Sequence, residues 1–177
     1  MSDNQSVTSI QTIVAIVLKE LRVERGIHQA QLADHLSKSA SAIAKLESGQ
    51  TALGLDIFYT ICAAHNVVGS MVLAAAERYA QMFNASHWIV VRATPDKESL
   101  MDAASLYYSS PGFKRRQQMP LTGLLGNNEI LNGPAYWGND IITMPDVFRF
   151  ALQEDYRNEQ LSTTSSSMLA GFAQSRV

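Results

Sequence analysis

Residues 26–49 have the sequence GIHQAQLADHLSKSASAIAKLESG, and this stretch decides the fold of the N-terminal part of the chain. Its spacing predicts two short helices joined by a tight turn, because Leu32 and Leu36 are i, i+4 apart and Ile43 and Leu46 are i, i+3 apart. Helices of this length are not stable alone, so the pair must pack against other helices. That packing leaves one outer side of the second helix uncovered.

Helical spacing continues on both sides of this pair. Gly26 and Gly49 are suited to end helices, and Ser39 is a preferred N-cap. The pattern predicts five helices, at about 12–25, 29–36, 40–48, 55–65 and 71–83. We therefore expect an all-helical domain over residues 10–84, preceded by a polar, flexible leader at residues 1–9.

The character of the chain changes after about residue 84. Proline is absent before Pro95, and prolines and glycines then interrupt the chain repeatedly. Residues 88–92 have the pattern of a strand, which we expect to pair with Ile141–Thr143. With helices at about 98–109 and 145–159, these patterns predict a small, irregular α+β region over residues 88–160 and a flexible tail at 161–177.

The helix pair resembles the helix-turn-helix of the Cro/cI-type regulators, the XRE family, which includes phage repressors. The resemblance covers about residues 14–68 and depends on the order and spacing of Gln29, Leu32, Ala33, Leu36, Ser39, Ile43, Leu46, Glu47 and Gly49. It implies a mainly α fold, with an N-terminal five-helix lambda-repressor-like bundle ahead of the small C-terminal region. The third helix would be the recognition helix, which lies in the major groove of DNA.

The resemblance also implies roles for individual residues. The positions that face base edges are Ala40, Ser41, Ala44 and Lys45. The positions that contact DNA phosphates are Gln29, Ser39, Ser48, Gln50 and Thr51. The structural ion pair that ties the first helix to the end of the third is formed by Arg22 and Glu47.

The chemistry of these side chains suits DNA in part. Lys45 can donate to guanine O6 and N7, and alanine methyl groups can contact a thymine methyl. Hydroxyl and amide groups near helix N-termini bind phosphates. The base-facing positions carry no Arg, Gln or Asn for bidentate contacts. Two interpretations therefore stay open: specificity comes largely from DNA shape and half-site spacing, or the domain has shifted toward protein binding.

The sequence predicts a sequence-specific DNA-binding transcription regulator, a repressor that binds a pseudo-palindromic operator as a homodimer. Its expected partners are double-stranded DNA, a second copy of the chain, and a protein or small-molecule effector at the C-terminal region. The alternative is a protein-interaction module, antitoxin-like or a phage regulator, that acts mainly by binding a protein partner. A steep salt dependence would distinguish DNA binding from a hydrophobic protein interface.

Composition and missing motifs narrow the function classes. The formal net charge of −2 argues against strong non-specific nucleic-acid binding, and the single cysteine, Cys62, excludes an internal disulfide and a multi-cysteine zinc site. No constellation of acid, base, nucleophile or metal ligand is visible, so we expect no enzyme activity, no cofactor and no metal. The chain lacks an apolar run of ~20 residues and a signal-like N-terminus, so we expect a cytoplasmic protein.

Two helices carry more apolar surface than a five-helix bundle needs. Ile13, Ile16 and Val23 give helix one a second apolar flank, which predicts cover by the C-terminal region or by a second subunit. Helix five has a stripe that is either a two-fold contact between subunits or part of a core, formed by Val72, Ala75, Ala76, Tyr79, Ala80 and Phe83. The basic run Lys114–Arg116 either contacts DNA flanks or is solvated.

Overall fold

The computed structural model describes residues 5–118, 129–138 and 140–162. Its helices are α1 Ile10–Glu24, α2 Gln29–His35, α3 Ala40–Glu47, α4 Leu55–Ala64, α5 Gly69–Ala85, α6 Ser99–Ser109, α7 Pro111–Gln118, α8 Glu129–Asn132, α9 Asp146–Leu152 and α10 Glu154–Leu161. Its strands are β1 Val7–Ser9, β2 Ile89–Val91, β3 Ala135–Trp137 and β4 Asp140–Thr143. The predicted fold class, mainly helical with a helix-turn-helix bundle and a small α+β region, is confirmed.

The bundle helices α1 to α5 lie where the sequence predicts them, and their ends differ by at most two residues. Local chemistry explains the boundaries. Ser9 and Ser39 cap α1 and α3 by accepting hydrogen bonds from backbone N–H groups three residues further on, each at 3.1 Å. Gly26 and Gly49 follow α1 and α3 with φ of +64° and +70°, a left-handed conformation that favours glycine and ends a helix.

The first residues described by the structure are ordered, and this corrects the expectation of a flexible leader for Val7–Ser9. These residues form β1, which pairs in parallel with β2, so that Val7 is opposite Ile89. The Glu98 carboxylate accepts hydrogen bonds from the Thr8 hydroxyl and, at 2.8 Å, from the Ser9 N–H. The partners lie more than 80 residues further along the chain, which is why local polarity suggested a loose segment. Residues 1–4 lie outside the described residues.

The C-terminal strands and helices are arranged differently from the prediction. Strand β4 pairs antiparallel with β3 in a hairpin, so the expected pairing of Ile141–Thr143 with β2 is wrong. A partner a few residues away costs less loop-closure entropy than one fifty residues away. The single helix expected at 145–159 is two helices, α9 and α10, because Gln153 is extended between them with φ −116° and ψ 113°. Of the predicted tail, residues 163–177 lie outside the described residues.

The stripe on α5 is buried within the chain, so it is unavailable as a two-fold contact between subunits. Its rings meet α9: the Phe148 ring centroid lies 4.6 Å from that of Tyr79 and 5.4 Å from that of Phe83. The Tyr79 hydroxyl donates to the Ile130 carbonyl at 2.9 Å. The interpretation of this stripe as a core surface is therefore correct.

Helix α1 is covered on both of its apolar sides. Ile13 and Ile16 are fully buried, and α1 packs against α6 and α8 as well as against α3 and α5 of the bundle. This confirms the expectation that the C-terminal region covers helix one. The buried core runs without a break from α1 to α9, and the predicted division of the chain between residues 84 and 88 stays a prediction.

A buried polar network ties α1 to α6 and α7. The Glu20 carboxylate accepts hydrogen bonds from Tyr108 Oη at 2.9 Å and from Arg116 Nη1 at 3.1 Å, and Arg116 Nη1 also lies 3.1 Å from Tyr107 Oη. Burial, reinforced by the Glu20 charge, raises the pKa of Tyr108, which therefore stays a hydrogen-bond donor. The sequence analysis expected the basic run Lys114–Arg116 either to contact DNA flanks or to be solvated. Both expectations are wrong for Arg116, because its guanidinium donates hydrogen bonds within this network.

Replacing Phe148 with alanine tests whether the two parts of the chain share one core. We expect Phe148→Ala to lower the free energy of unfolding by about 3–5 kcal/mol, because the ring joins α9 to two aromatic residues of α5. Urea unfolding followed by circular dichroism measures this. The control is Trp137→Ala, whose side chain is 79% exposed and whose loss should change stability by under about 0.5 kcal/mol. Unfolding of the α1–α5 bundle at an unchanged midpoint in Phe148→Ala would contradict a shared core.

Candidate nucleic-acid interface

The outer face of α3 is open to solvent. Ala40, Ser41 and Lys45 are exposed and Ala44 is half-buried, whereas the opposite face of the helix buries Ile43 and Leu46. The four residues expected to face base edges thus lie on one uncovered side of a helix that is fixed from behind. The C-terminal region packs mainly against α1 and α5, and Met101 of α6 also comes close to Gly49, just after the end of α3.

The end of α3 is held by the carboxylate of Glu47. Arg22 donates from Nε to Glu47 Oε1 at 2.5 Å and from Nη2 to Oε2 at 2.9 Å, and it donates from Nη1 to the Ile27 carbonyl at 2.8 Å. Gln29 Nε2 donates to Glu47 Oε2 at 2.8 Å. The Glu47 carboxylate therefore links α1, α2 and α3, and Arg22 also links α1 to the turn that follows it. We call Arg22, Glu47 and Gln29 the Glu47 cluster.

The Arg22–Glu47 pair is buried, with side chains only 10% and 8% exposed. The pair is bidentate, and Arg22 has a further carbonyl acceptor, so both charges are compensated. Removing one partner of such a pair leaves a buried charge uncompensated and costs about 3–5 kcal/mol, far more than the loss of an exposed pair. The pair therefore fixes the orientation of α3 relative to α1.

The residues expected to contact phosphates differ in which hydrogen-bond donors remain available. Ser39 Oγ accepts from the Ala42 N–H at 3.1 Å, so its hydroxyl hydrogen is available for a phosphate. Ser48 Oγ donates to the Lys45 carbonyl at 3.2 Å, so its hydrogen is used within the chain. Gln50 and Thr51 are exposed, but their backbone N–H groups donate to the same Lys45 carbonyl. Only the side chains of these two residues are therefore available to donate to a phosphate.

A groove of about 190 Å³ runs beside α3, and several predicted site residues share it. Ser39, Ser41, Lys45 and Thr51 line it, and so does Lys38, which the sequence analysis missed. Lys38 is exposed in the turn directly before the Ser39 cap, and a cation at the entrance of a recognition helix was the signal available in the sequence. Of the predicted phosphate contacts, Gln29, Ser48 and Gln50 do not line this groove.

His65 is a buried ionisable group behind the interface. It follows α4, is 1% exposed, and neither ring nitrogen has a hydrogen-bond partner among the described residues. Burial, together with the charges of Arg25 and Arg22, lowers its pKa from 6.5 to about 4, while Glu47 acts in the opposite direction. The ring is therefore neutral at physiological pH.

Cys62 lies on α4 and is buried, as expected, and burial raises its pKa to about 11. The thiol therefore stays protonated and packs as a small apolar group.

Within residues 5–118, 129–138 and 140–162, no group of three or more His, Cys, Asp or Glu side chains is placed to hold a metal ion. No single helix in these ranges is long and apolar enough to cross a membrane; α4 and α5, bent by 106°, meet that length and composition test only as a pair.

The helix-turn-helix family matches residues 18–68 of the chain. The matched range runs from the middle of α1 to the turn before α5, so it contains the Glu47 cluster and the whole uncovered face of α3. The chain therefore carries a helix-turn-helix domain of the Cro/cI type. A domain of this type supports a DNA-binding transcription regulator of the XRE type. Neither a curated protein nor a solved structure matches the chain.

Titration of His65 makes stability depend on pH. Between about pH 6.5 and 4 the unfolded chain binds a proton at this residue that the folded chain does not. The contribution of His65 to the free energy of unfolding is therefore fully present above about pH 6.5. It falls by about 3 kcal/mol as the pH drops toward 4. We expect His65→Leu to lose this part of the pH dependence in urea unfolding measured across that range.

The matched control is His35→Gln, which changes an exposed histidine and should keep the slope of the parent protein. If His65→Leu kept that slope as well, the assignment of the proton to His65 would be wrong.

Proposed function

We propose that this protein is a sequence-specific transcriptional repressor that binds a pseudo-palindromic operator as a homodimer. The observation that carries the proposal is the uncovered face of α3, held from behind by the Glu47 cluster. A helix of this size fits the major groove of DNA. Because the Glu47 cluster fixes its orientation, the same side-chain atoms face outward each time the protein binds. A dimer that covers two half-sites excludes other proteins from the same DNA, and this exclusion is the means of repression in the proposal.

Base recognition is assigned to Ala40, Ser41, Ala44 and Lys45. Lys45 donates to guanine O6 or N7, Ser41 donates or accepts, and the two alanines contact thymine methyl groups. Lys45 is the only cation among these four residues. We therefore assign a large share of the specificity to DNA shape and to the spacing of the half-sites.

Phosphate contacts are assigned to Gln29, Ser39, Ser48, Gln50 and Thr51, with Lys38 added. The available hydroxyl hydrogen of Ser39 and the exposed side chains of Gln50 and Thr51 support this assignment. Gln29 uses one amide hydrogen on Glu47 and keeps a second for a phosphate. Ser48 contributes after its hydroxyl turns away from the Lys45 carbonyl.

The two-fold contact requires a surface other than the buried stripe of α5. Four large apolar side chains on α4 and at the start of α5 are exposed, and they support a contact at this end of the bundle: Leu55, Tyr59, Val68 and Met71. In this proposal residues 10–84 form the DNA-binding domain and residues 88–160 take part in dimerisation or sensing. Residues 1–9 and 161–177 flank them, and access to the chromosome requires a cytoplasmic location.

Lys45→Ala tests the DNA-facing assignment of α3. We expect binding to the cognate duplex to weaken by about 1–3 kcal/mol and preference at one base position to relax, because one base-edge donor is lost. Gel-shift titrations at fixed salt measure both effects. The control is Lys97→Ala, which removes an exposed lysine between β2 and α6 and should leave affinity unchanged. Unchanged affinity of Lys45→Ala for every duplex would show that α3 does not face the bases.

Selection of bound duplexes from a random library at physiological salt, combined with the size of the protein in solution, tests the homodimer. We expect two half-sites centred about 34 Å apart and a dimer, because each recognition helix reads one half-site. Tyr59→Glu should shift the protein toward monomer and weaken binding to the full site more than to a half-site. A monomer that selects no symmetric site, or a binding constant insensitive to salt, would favour a protein partner instead.

A further inference from the structure

A cavity of about 550 Å³ lies in the C-terminal region, between the β3–β4 hairpin and α9. Its apolar lining includes Ile141, Met144 and Pro145, and its polar lining includes Thr143, Gln153 and Arg149. The volume falls within the range of small-molecule sites, about 300–1,000 Å³, and the mixture of apolar surface with a few polar groups is typical of such sites. None of the residues assigned to DNA contact lines it.

Arg149 is the charged residue among those lining the cavity; it is exposed, and two contacts orient its guanidinium. Its Nε donates to Gln153 Oε1 at 3.0 Å, and its central carbon lies 4.3 Å from the ring centroid of Tyr156. No described residue accepts a hydrogen bond from its terminal nitrogens Nη1 and Nη2. A guanidinium whose Nε is bonded and whose central carbon lies over an aromatic ring keeps its two terminal nitrogens as a two-pronged donor for an anion.

The charge and the lining select the kind of anion. One guanidinium balances one negative charge, and the described residues that line the cavity include no second cation for a phosphate dianion. The apolar residues favour a ligand with a hydrocarbon body, since burial of apolar surface adds to affinity. A monocarboxylate with a compact apolar body satisfies both requirements.

We propose that this cavity binds a small organic monocarboxylate, whose carboxylate forms a bidentate pair with Arg149 while its hydrocarbon part contacts Ile141, Met144 and Pro145. The site lies on α9, whose buried residue Phe148 packs against α5 of the helix-turn-helix bundle. A ligand bound here stabilises the attachment of α9 to the bundle by mass action. The proposal concerns ligand binding alone, so it is tested without DNA.

Calorimetric titration of the full chain with hexanoate, at constant ionic strength, tests the site. We expect hexanoate to bind and the neutral isostere hexanamide to bind at least tenfold more weakly. Arg149→Gln should reduce hexanoate affinity at least tenfold, and Arg149→Lys should give an intermediate value because it keeps the charge and loses the two-pronged geometry. Arg92→Gln, which removes an exposed cation elsewhere, is the matched control and should bind as the parent protein does.

A second variant, Thr143→Phe, fills the cavity while it keeps Arg149, and it should also abolish binding; circular dichroism melting confirms that each variant is folded. Equal hexanoate affinity in Arg149→Gln and the parent protein overturns the proposal, as does equal affinity for hexanamide or no binding of hexanoate, butanoate and benzoate to the parent protein. Tighter binding of inorganic phosphate than of any carboxylate overturns the assigned ligand class. Operator binding by Arg149→Gln, measured separately, reports on the proposed repressor function and not on this site.

Discussion

The arrangement of the bundle depends on the hydrogen bonds that the Glu47 carboxylate accepts. It accepts two hydrogen bonds from Arg22 of α1 and one from Gln29 of α2, and it sits on the last residue of α3. Short helices have little apolar surface with which to fix their own orientation. A buried, directional, bidentate pair supplies that orientation, because the cost of leaving either charge unpaired excludes arrangements in which α3 rotates away.

Helix α1 carries the connection from this cluster to the rest of the molecule. Its bundle side supplies Arg22 to Glu47, and its other side supplies Glu20 to Tyr108 and Arg116 of the C-terminal region. Two carboxylate-centred networks thus lie on one fifteen-residue helix and face different partners. Helix α3 and the α9 side of the cavity therefore pack on one continuous core.

The sequence predicted helix α3 and its exposed face well where the signal was local. Caps at Ser39, the glycine after α3 and the apolar spacing of Ile43 and Leu46 are properties of a few adjacent residues, and they placed α3 and its uncovered face correctly. Lys38 was missed because helical spacing and capping give no weight to a turn residue, and its position directly before the Ser39 cap was the only sign of its place. The use of Gln29 inside the chain depends on Glu47, which only folded geometry brings within hydrogen-bond distance, whereas Ser48 bonds locally to a carbonyl three residues before it.

The amino-acid sequence by itself determined the five bundle helices, their ends and the exposed side of the recognition helix, because helical periodicity and capping act over four or five residues. Only the tertiary structure decided that Val7–Ser9 pairs with Ile89–Val91, that β4 pairs with β3, that the stripe on α5 packs on Phe148, and that Arg116 serves Glu20. Apart from the β3–β4 hairpin, whose strands are neighbours in the sequence, each of these contacts joins residues that are far apart along the chain. Their partners are chosen by the competition among all buried surfaces for the same core, which no short window of sequence contains.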